Sequence, residues 1–184
     1  RENVSEYLKT LGQNERKILR DLGVKFGRYH VFLYKLIKPE PVLLRTLLWK
    51  NFHQKYFNLT PPTFGLNFIE DKDNRNKNFM LLCGFEKFDN YFVRIDILER
   101  LFKQIINSNS DENKEIKLVS EMLNLLGCSK DNFKKLIQKM NYKIYEKNED
   151  LYFRYMPKKT LKKTDKKKPI KENPFRILKN LNLS

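Results

Sequence analysis

The stretch that most constrains the fold spans residues 96–156. "DILERLFKQIINSN" places Ile97, Leu98, Leu101, Ile105 and Ile106 at helical spacing, with Asp96 as the candidate N-cap. "ENKEIKLVSEMLNLLG" reads as a second helix closed by Gly127, and "SKDNFKKLIQKM" as a third opened by Ser129. "NYKIYEKNEDLYFRYM" reads as two strands around a polar turn near residues 148–150. Three helices and then a hairpin, with the short glycine turn "LGCS" between the second and third helices, predict a winged-helix-like unit near residues 96–156.

Upstream, "VSEYLKTLGQNERKILRDLG" reads as one or two helices capped at Gly23. In "VKFGRYHVFL" the apolar parity changes at Gly27, which predicts a bulge or a tight Gly-Arg hairpin turn. Pro39 and Pro41 suit a helix start, and Leu43, Leu44, Leu47, Leu48 and Phe52 form an apolar stripe, so a helix is expected over residues 40–56. "NLTPPTFGLNFIEDKDNRNKN" reads as a loop, "NFMLLCG" as a short helix, and "FEKFDNYFVRI" as a hairpin turning at Asp89 and Asn90.

The expected class is α+β, mainly α, with helices and short β-hairpins. Its parts are a helical and β-rich N-terminal subdomain (residues 1–83), a winged-helix-like subdomain (84–156), a Lys-rich flexible linker (157–172) and a short C-terminal docking helix (173–184). The linker carries eight lysines against two carboxylates and almost no apolar content, which predicts a disordered basic tail. The chain begins at Arg1 rather than Met, within what reads as a helix, and is expected to be part of a longer polypeptide.

Charge sets the class of partner. The 184 residues carry a formal net charge of +16 with a pI near 9.7, which favours polyanions, nucleic acid before anionic membrane. The abundance of Lys, Asn and Ile also fits simple compositional drift. Two isolated cysteines, Cys83 and Cys128, make no disulfide framework and point to a reducing, cytoplasmic compartment. No apolar run approaches the roughly 20 residues needed to span a bilayer, and no signal peptide is read at the N-terminus.

Catalytic chemistry finds little footing. Among the two histidines, His30 and His53, and the two cysteines there is no C-x-x-C or H-E-x-x-H spacing, so no metal site is expected. There is no G-x-x-x-x-G-K-[ST], and the G-x-x-x-G of "GVKFG" is a poor phosphate signal. Asp96 and Glu99 lie one helical turn apart, a spacing that suits an N-cap beside a helix charge better than an acid/base pair. The chain is read as carrying no catalytic residue of its own.

Nucleic-acid binding is the chemistry the residues offer, through phosphate contacts and base stacking. Three places supply it: Lys25 and Arg28 beside Tyr29 and His30; Lys130, Lys134 and Lys139 on the third helix of the winged unit; and the end of the hairpin, "YFRYMPKK", leading into Lys158, Lys159, Lys166, Lys167 and Lys168. Each has a plainer reading beside it. Helix lysines often form only a solvated face, and Tyr29, Phe32, Tyr152 and Phe153 suit packing at least as well as stacking.

Several blocks also carry a family resemblance. "LGVKFGRYHVFLYKLIKPEPVLLRTLLW", "PPTFGLNF", "GFEKFDNYFVRIDILERL", "LVSEMLNLLGCSKDNF", "FRYMPKK" and "NPFRIL" occur in the same order as blocks in the C-terminal region of alphaproteobacterial superfamily-two, DEAD/DEAH-like ATP-dependent helicases. Those are related to the mitochondrial degradosome RNA helicase, and the chain resembles them over most of residues 15–182. Tyr34 departs from the pattern, standing where the family often has proline.

The resemblance implies an accessory C-terminal module that binds nucleic acid, RNA in preference to DNA, and packs on motor domains of the same polypeptide. ATP and Mg would belong to that motor, and no cofactor is assigned to this chain. Two other readings stay open: a protein-interaction module that docks a ribonuclease or ribosomal partner through "NPFRILKNL", and a winged-helix DNA-binding protein.

Overall fold

A computed structural model describes residues 4–108, 115–147 and 150–156. The predicted tail, residues 157–184, lies outside them. The class is α+β and mainly helical, and the described residues form three small antiparallel sheets.

Two short helices open the chain, α1 (Ser5–Thr10) and α2 (Gln13–Asp21), and Gly23 closes the second at φ +93°. A hairpin follows, β1 (Val24–Phe26) and β2 (Val31–Leu33), registered Val24 to Leu33 and Phe26 to Val31. Its loop has four residues, 27–30, closed by Gly27 N–H donating to His30 O at 2.8 Å. This replaces the expected bulge or two-residue turn.

Helix α3 (Pro39–Phe52) starts where its prolines predict, since missing N–H groups cost nothing in a first turn. Its buried face is a correction. Val42 and Thr46 are buried and Trp49 packs beside them, whereas Leu43, Leu44, Leu47, Leu48 and Phe52 stand 49–84% exposed. The helix is apolar on nearly every side, so spacing alone does not select a face. The indole does: Trp49 lies 5.7 Å from the Phe79 ring and stacks with His53 and Tyr56, burying more area than any leucine would. Thr46 enters that core by donating its hydroxyl to Val42 O at 2.9 Å.

Part of the expected loop is a strand, β3 (Phe68–Glu70). It is followed by α4 (Lys77–Leu82), capped by Asn76. The predicted hairpin is formed by β4 (Phe85–Phe88) and β5 (Tyr91–Arg94), which turn at Asp89 with φ +53°. The sheet order is β3-β5-β4, so this sheet joins strands from either side of residue 84. Phe85 and Phe92 share one cluster with Val42, Ile69, Phe79 and Met80.

Strand β5 runs directly into α5 (Ile95–Asn107), so Arg94 is the capping residue and Asp96 lies inside the first turn. Asp96 is instead held by Arg94, whose Nε and Nη2 donate to its two oxygens at 2.7 and 3.1 Å. Ile97, Leu98, Leu101 and Ile105 are buried as expected, while Ile106 is exposed and Phe102 takes the inward position.

The winged arrangement follows. Strand β6 (Ile116–Lys117) occupies part of what reads as the second helix, which is shortened to α6 (Ser120–Leu126). Gly127 caps α6 in the left-handed region at φ +68°, a conformation glycine adopts without a Cβ penalty. Ser129 opens α7 (Lys130–Lys139) by accepting from Asn132 N–H. Strands β7 (Tyr142–Lys147) and β8 (Asp150–Tyr155) form the hairpin, and β8 lies centrally in the order β6-β8-β7. Phe153 pairs with Ile116 on one side and Ile144 on the other, and its ring meets Phe133 and Tyr142 edge-on.

Phe153 is fully buried at this crossing of sheet and α7. Phe153→Ala should lower stability by about 3–5 kcal/mol, measured by urea unfolding followed by circular dichroism.

Candidate nucleic-acid interface

The loop at residues 27–30 reaches the winged unit through one carboxylate. Glu99, on the first turns of α5, accepts from the backbone N–H groups of Arg28, Tyr29 and His30 at 2.5, 2.8 and 2.9 Å. Gly27 permits this approach. Its φ is not in the left-handed region, but a Cβ there would fall inside the Glu99 carboxylate. The glycine is therefore demanded by a neighbour 72 positions away rather than by its own turn.

His30 closes the junction. Its Nε2 lies 2.8 Å from Glu86 Oε2 on β4, and its Nδ1 lies 3.5 Å from Glu99 Oε1. Burial pulls the imidazole pKa down, but the two carboxylates outweigh it and hold the imidazolium above the ordinary histidine range. Burial pushes Glu86 and Glu99 up, and the hydrogen bonds they accept bring both below the ordinary carboxylate range. With each carboxylate already engaged and His30 between them, the group holds three segments together and presents no open acid/base pair.

Seating the loop this way lets Arg28 hydrogen-bond Tyr29 and brings it within electrostatic reach of Tyr142. Tyr29 packs on Phe102 of α5 with ring centroids 4.3 Å apart, and Tyr142 meets Tyr155 edge-on at 5.2 Å. Burial and the neighbouring tyrosines push the Tyr142 phenol up to about 12, against the pull of Arg28. Tyr29 is 37% and Tyr155 43% exposed, and Arg28 is exposed. Two of the three places read from the sequence, the loop and the end of the wing, thus form one patch of exposed guanidinium and aromatic rings.

Other predicted residues separate. Lys25 is exposed in the middle of β1, opposite Phe32. On α7, Lys134 is tied to Glu146 of the wing at 2.8 Å, and the hydrogen bond to that carboxylate raises its pKa. Lys139 is tied to Asp89 of the β4–β5 turn at 2.7 Å. Lys130 stays exposed in the first turn, and among the described residues neither it nor Lys135 has an ion pair. Lys158, Lys159, Lys166, Lys167 and Lys168 lie outside the described residues. Sequence reading missed Glu86 and Tyr142. It took Glu99 as a helix charge beside an N-cap, and nothing local marked its partner.

Little else suggests chemistry. Burial pushes the Cys83 thiol up to about 12 and Cys128 up to about 11, so neither is a thiolate near neutral pH. A shallow cleft between Tyr34, Val42, Phe64 and Phe85 reaches the Arg94–Asp96 pair, whose charges already satisfy each other. Among the described residues no helix is long and apolar enough to cross a membrane, and no group of three or more His, Cys, Asp or Glu is placed to hold a metal ion. The chain matches no protein-family model, no curated protein and no solved structure.

Glu99→Ala should cost about 1–2 kcal/mol, because three backbone amides, two of them in exposed residues, lose a charged acceptor. Gly27→Ala should cost a similar amount by displacing that carboxylate, yet little more in the Glu99→Ala background. A double-mutant cycle by chemical denaturation checks the non-additivity.

The junction also sets a pH window. His30 contributes fully below its ordinary pKa of about 6.5 and loses its contribution as pH rises through its higher folded value. Glu86 and Glu99 contribute above the ordinary carboxylate range and lose it as pH falls through their lower folded values. Thermal unfolding against pH should therefore show His30→Gln closing on the wild type under alkaline conditions, with the widest gap between the two windows.

Proposed function

We propose that this chain is an accessory nucleic-acid-binding module of an ATP-dependent helicase, working in a reducing, cytoplasmic compartment and binding RNA in preference to DNA. The observation that carries the reading is exposed Arg28 hydrogen-bonded to Tyr29, with Tyr155 at the end of the wing within electrostatic reach of that tyrosine, in a chain of net charge +16. A guanidinium held beside exposed rings offers phosphate contact and base stacking from one rigid patch. Lys25 and Lys130 extend the field that draws a polyanion in, and the lysines of residues 157–172 add to it. The winged-helix arrangement is compatible with this role and specifies no ligand.

The helicase assignment rests on the sequence resemblance. The motor would supply ATP hydrolysis and Mg, and the module would bind the strand and hold it against the motor. No residue here has the loop spacing that cradles a nucleotide phosphate, so none is assigned to ATP.

A protein-docking role, with a ribonuclease as one partner class, is favoured by a different observation. Leu43, Leu44, Leu47, Leu48 and Phe52 make an exposed apolar strip on α3, larger than isolated surface leucines would give. The two roles use different faces and are compatible with each other.

Fluorescence anisotropy with labelled RNA and DNA across a salt series separates them. Arg28→Glu should weaken binding to both and flatten the slope of log K against log salt by about 1. Lys134→Ala and Lys139→Ala should change the slope by less than half as much, because Glu146 and Asp89 already neutralise those lysines. Binding unaffected by Arg28→Glu would leave the docking role as the better account.

A further inference from the structure

The winged sheet has a second face, turned away from the core. On its inner side Ile116, Tyr142, Ile144 and Phe153 join the main cluster. Strand alternation puts the intervening residues on the other side, and the register pairs Lys143 with Arg154 and Tyr145 with Tyr152. Neither Tyr145 nor Tyr152 belongs to a core cluster. Their rings are stacked, with centroids 6.2 Å apart and planes within 10° of parallel. They form a half-buried pair of parallel rings on the outer side of the three-stranded sheet.

Cations surround that surface. Lys143 and Arg154 are exposed at one end and, among the described residues, form no ion pair. Lys117 and Lys147 flank the other end, paired with Asp150 and Glu115 respectively. The Lys147 ammonium stands 5.3 and 5.9 Å from the two ring centroids, roughly equidistant from both. An exposed cation–π contact of this kind is weaker than a base stacked on a tyrosine, so an incoming base displaces it.

We propose that this outer face is a binding platform for unpaired nucleotides, with Tyr145 and Tyr152 stacking the bases and Lys143 and Arg154 holding the phosphates. The inference rests on the nucleic-acid reading above and narrows it to single strands, because a paired and stacked duplex offers no free base face to a flat ring. Strand β8 links the two patches. Arg154 lies on this face, and Tyr155, the next residue, lies on the opposite side against Tyr142 and within electrostatic reach of Tyr29.

Binding of the whole chain to a fluorescein-labelled single-stranded RNA 12-mer and to the matching duplex tests this. Tyr152→Ala should weaken single-strand binding by roughly 5- to 50-fold and leave duplex binding within about twofold. Tyr152→Phe, which keeps the ring, should bind single strands as the wild type does. In Tyr152→Trp the new indole should be quenched as the single strand is added.

Single-strand binding that survives Tyr152→Ala but is lost in Arg28→Glu overturns the platform and leaves the proposed function standing. Wild-type protein that binds neither strand form at low salt overturns both. Poly-glutamate that quenches the introduced indole as well as the RNA does would make the face an acidic-peptide surface and overturn the inference.

Discussion

The Glu99 carboxylate is the tie on which the arrangement of the rest depends. It satisfies three consecutive backbone amides of a loop that belongs to another part of the chain. Backbone amides need acceptors, and an ionised carboxylate is the strongest the side chains offer. His30 then bridges Glu99 to Glu86, so α5, the β1–β2 hairpin and the β3-β5-β4 sheet meet at one charged point. Without it the hairpin would be held against the winged unit mainly by Tyr29 packing on Phe102, and Arg28 would be less firmly placed near Tyr142.

Two ion pairs complete the clamping of α7. Lys139 reaches the turn of one hairpin at Asp89, and Lys134 reaches the strand of another at Glu146. Exposed pairs of this kind add little stability individually. Their larger effect is on charge: they remove two cations from the helix face that sequence alone offers as the contact surface. The available positive charge shifts to the loop, the first turn of α7 and the outer side of the wing.

Much of the architecture was legible in the sequence because it is local. Gly23, Gly127 and Ser129 mark helix ends by their own chemistry, and the β4–β5 and β7–β8 pairings follow from turn residues between alternating strands. The failures are non-local. Strand β6 is two residues long and exists because Phe153 and Tyr152 lie opposite it; β3 exists because β5 does. The buried side of α3 was decided by Trp49 finding Phe79, which no periodicity in an all-round apolar helix reveals. At the candidate interface, Arg28 was visible as a cation near a turn. Its neighbour Tyr29 was visible with it, but Tyr142 lies more than a hundred positions away, and the carboxylates that occupy Lys134 and Lys139 come from other elements.

The fit between Gly27 and Glu99 extends beyond this one molecule. Space for the carboxylate exists only while position 27 lacks a side chain, and the loop amides are satisfied only while position 99 carries an acid. Neither residue is useful without the other, so in chains of shared descent the two should be kept or lost together. That makes a glycine and a glutamate 72 positions apart a more discriminating mark of kinship than lysine content or the apolar rhythm of the helices, both of which arise in unrelated sequences.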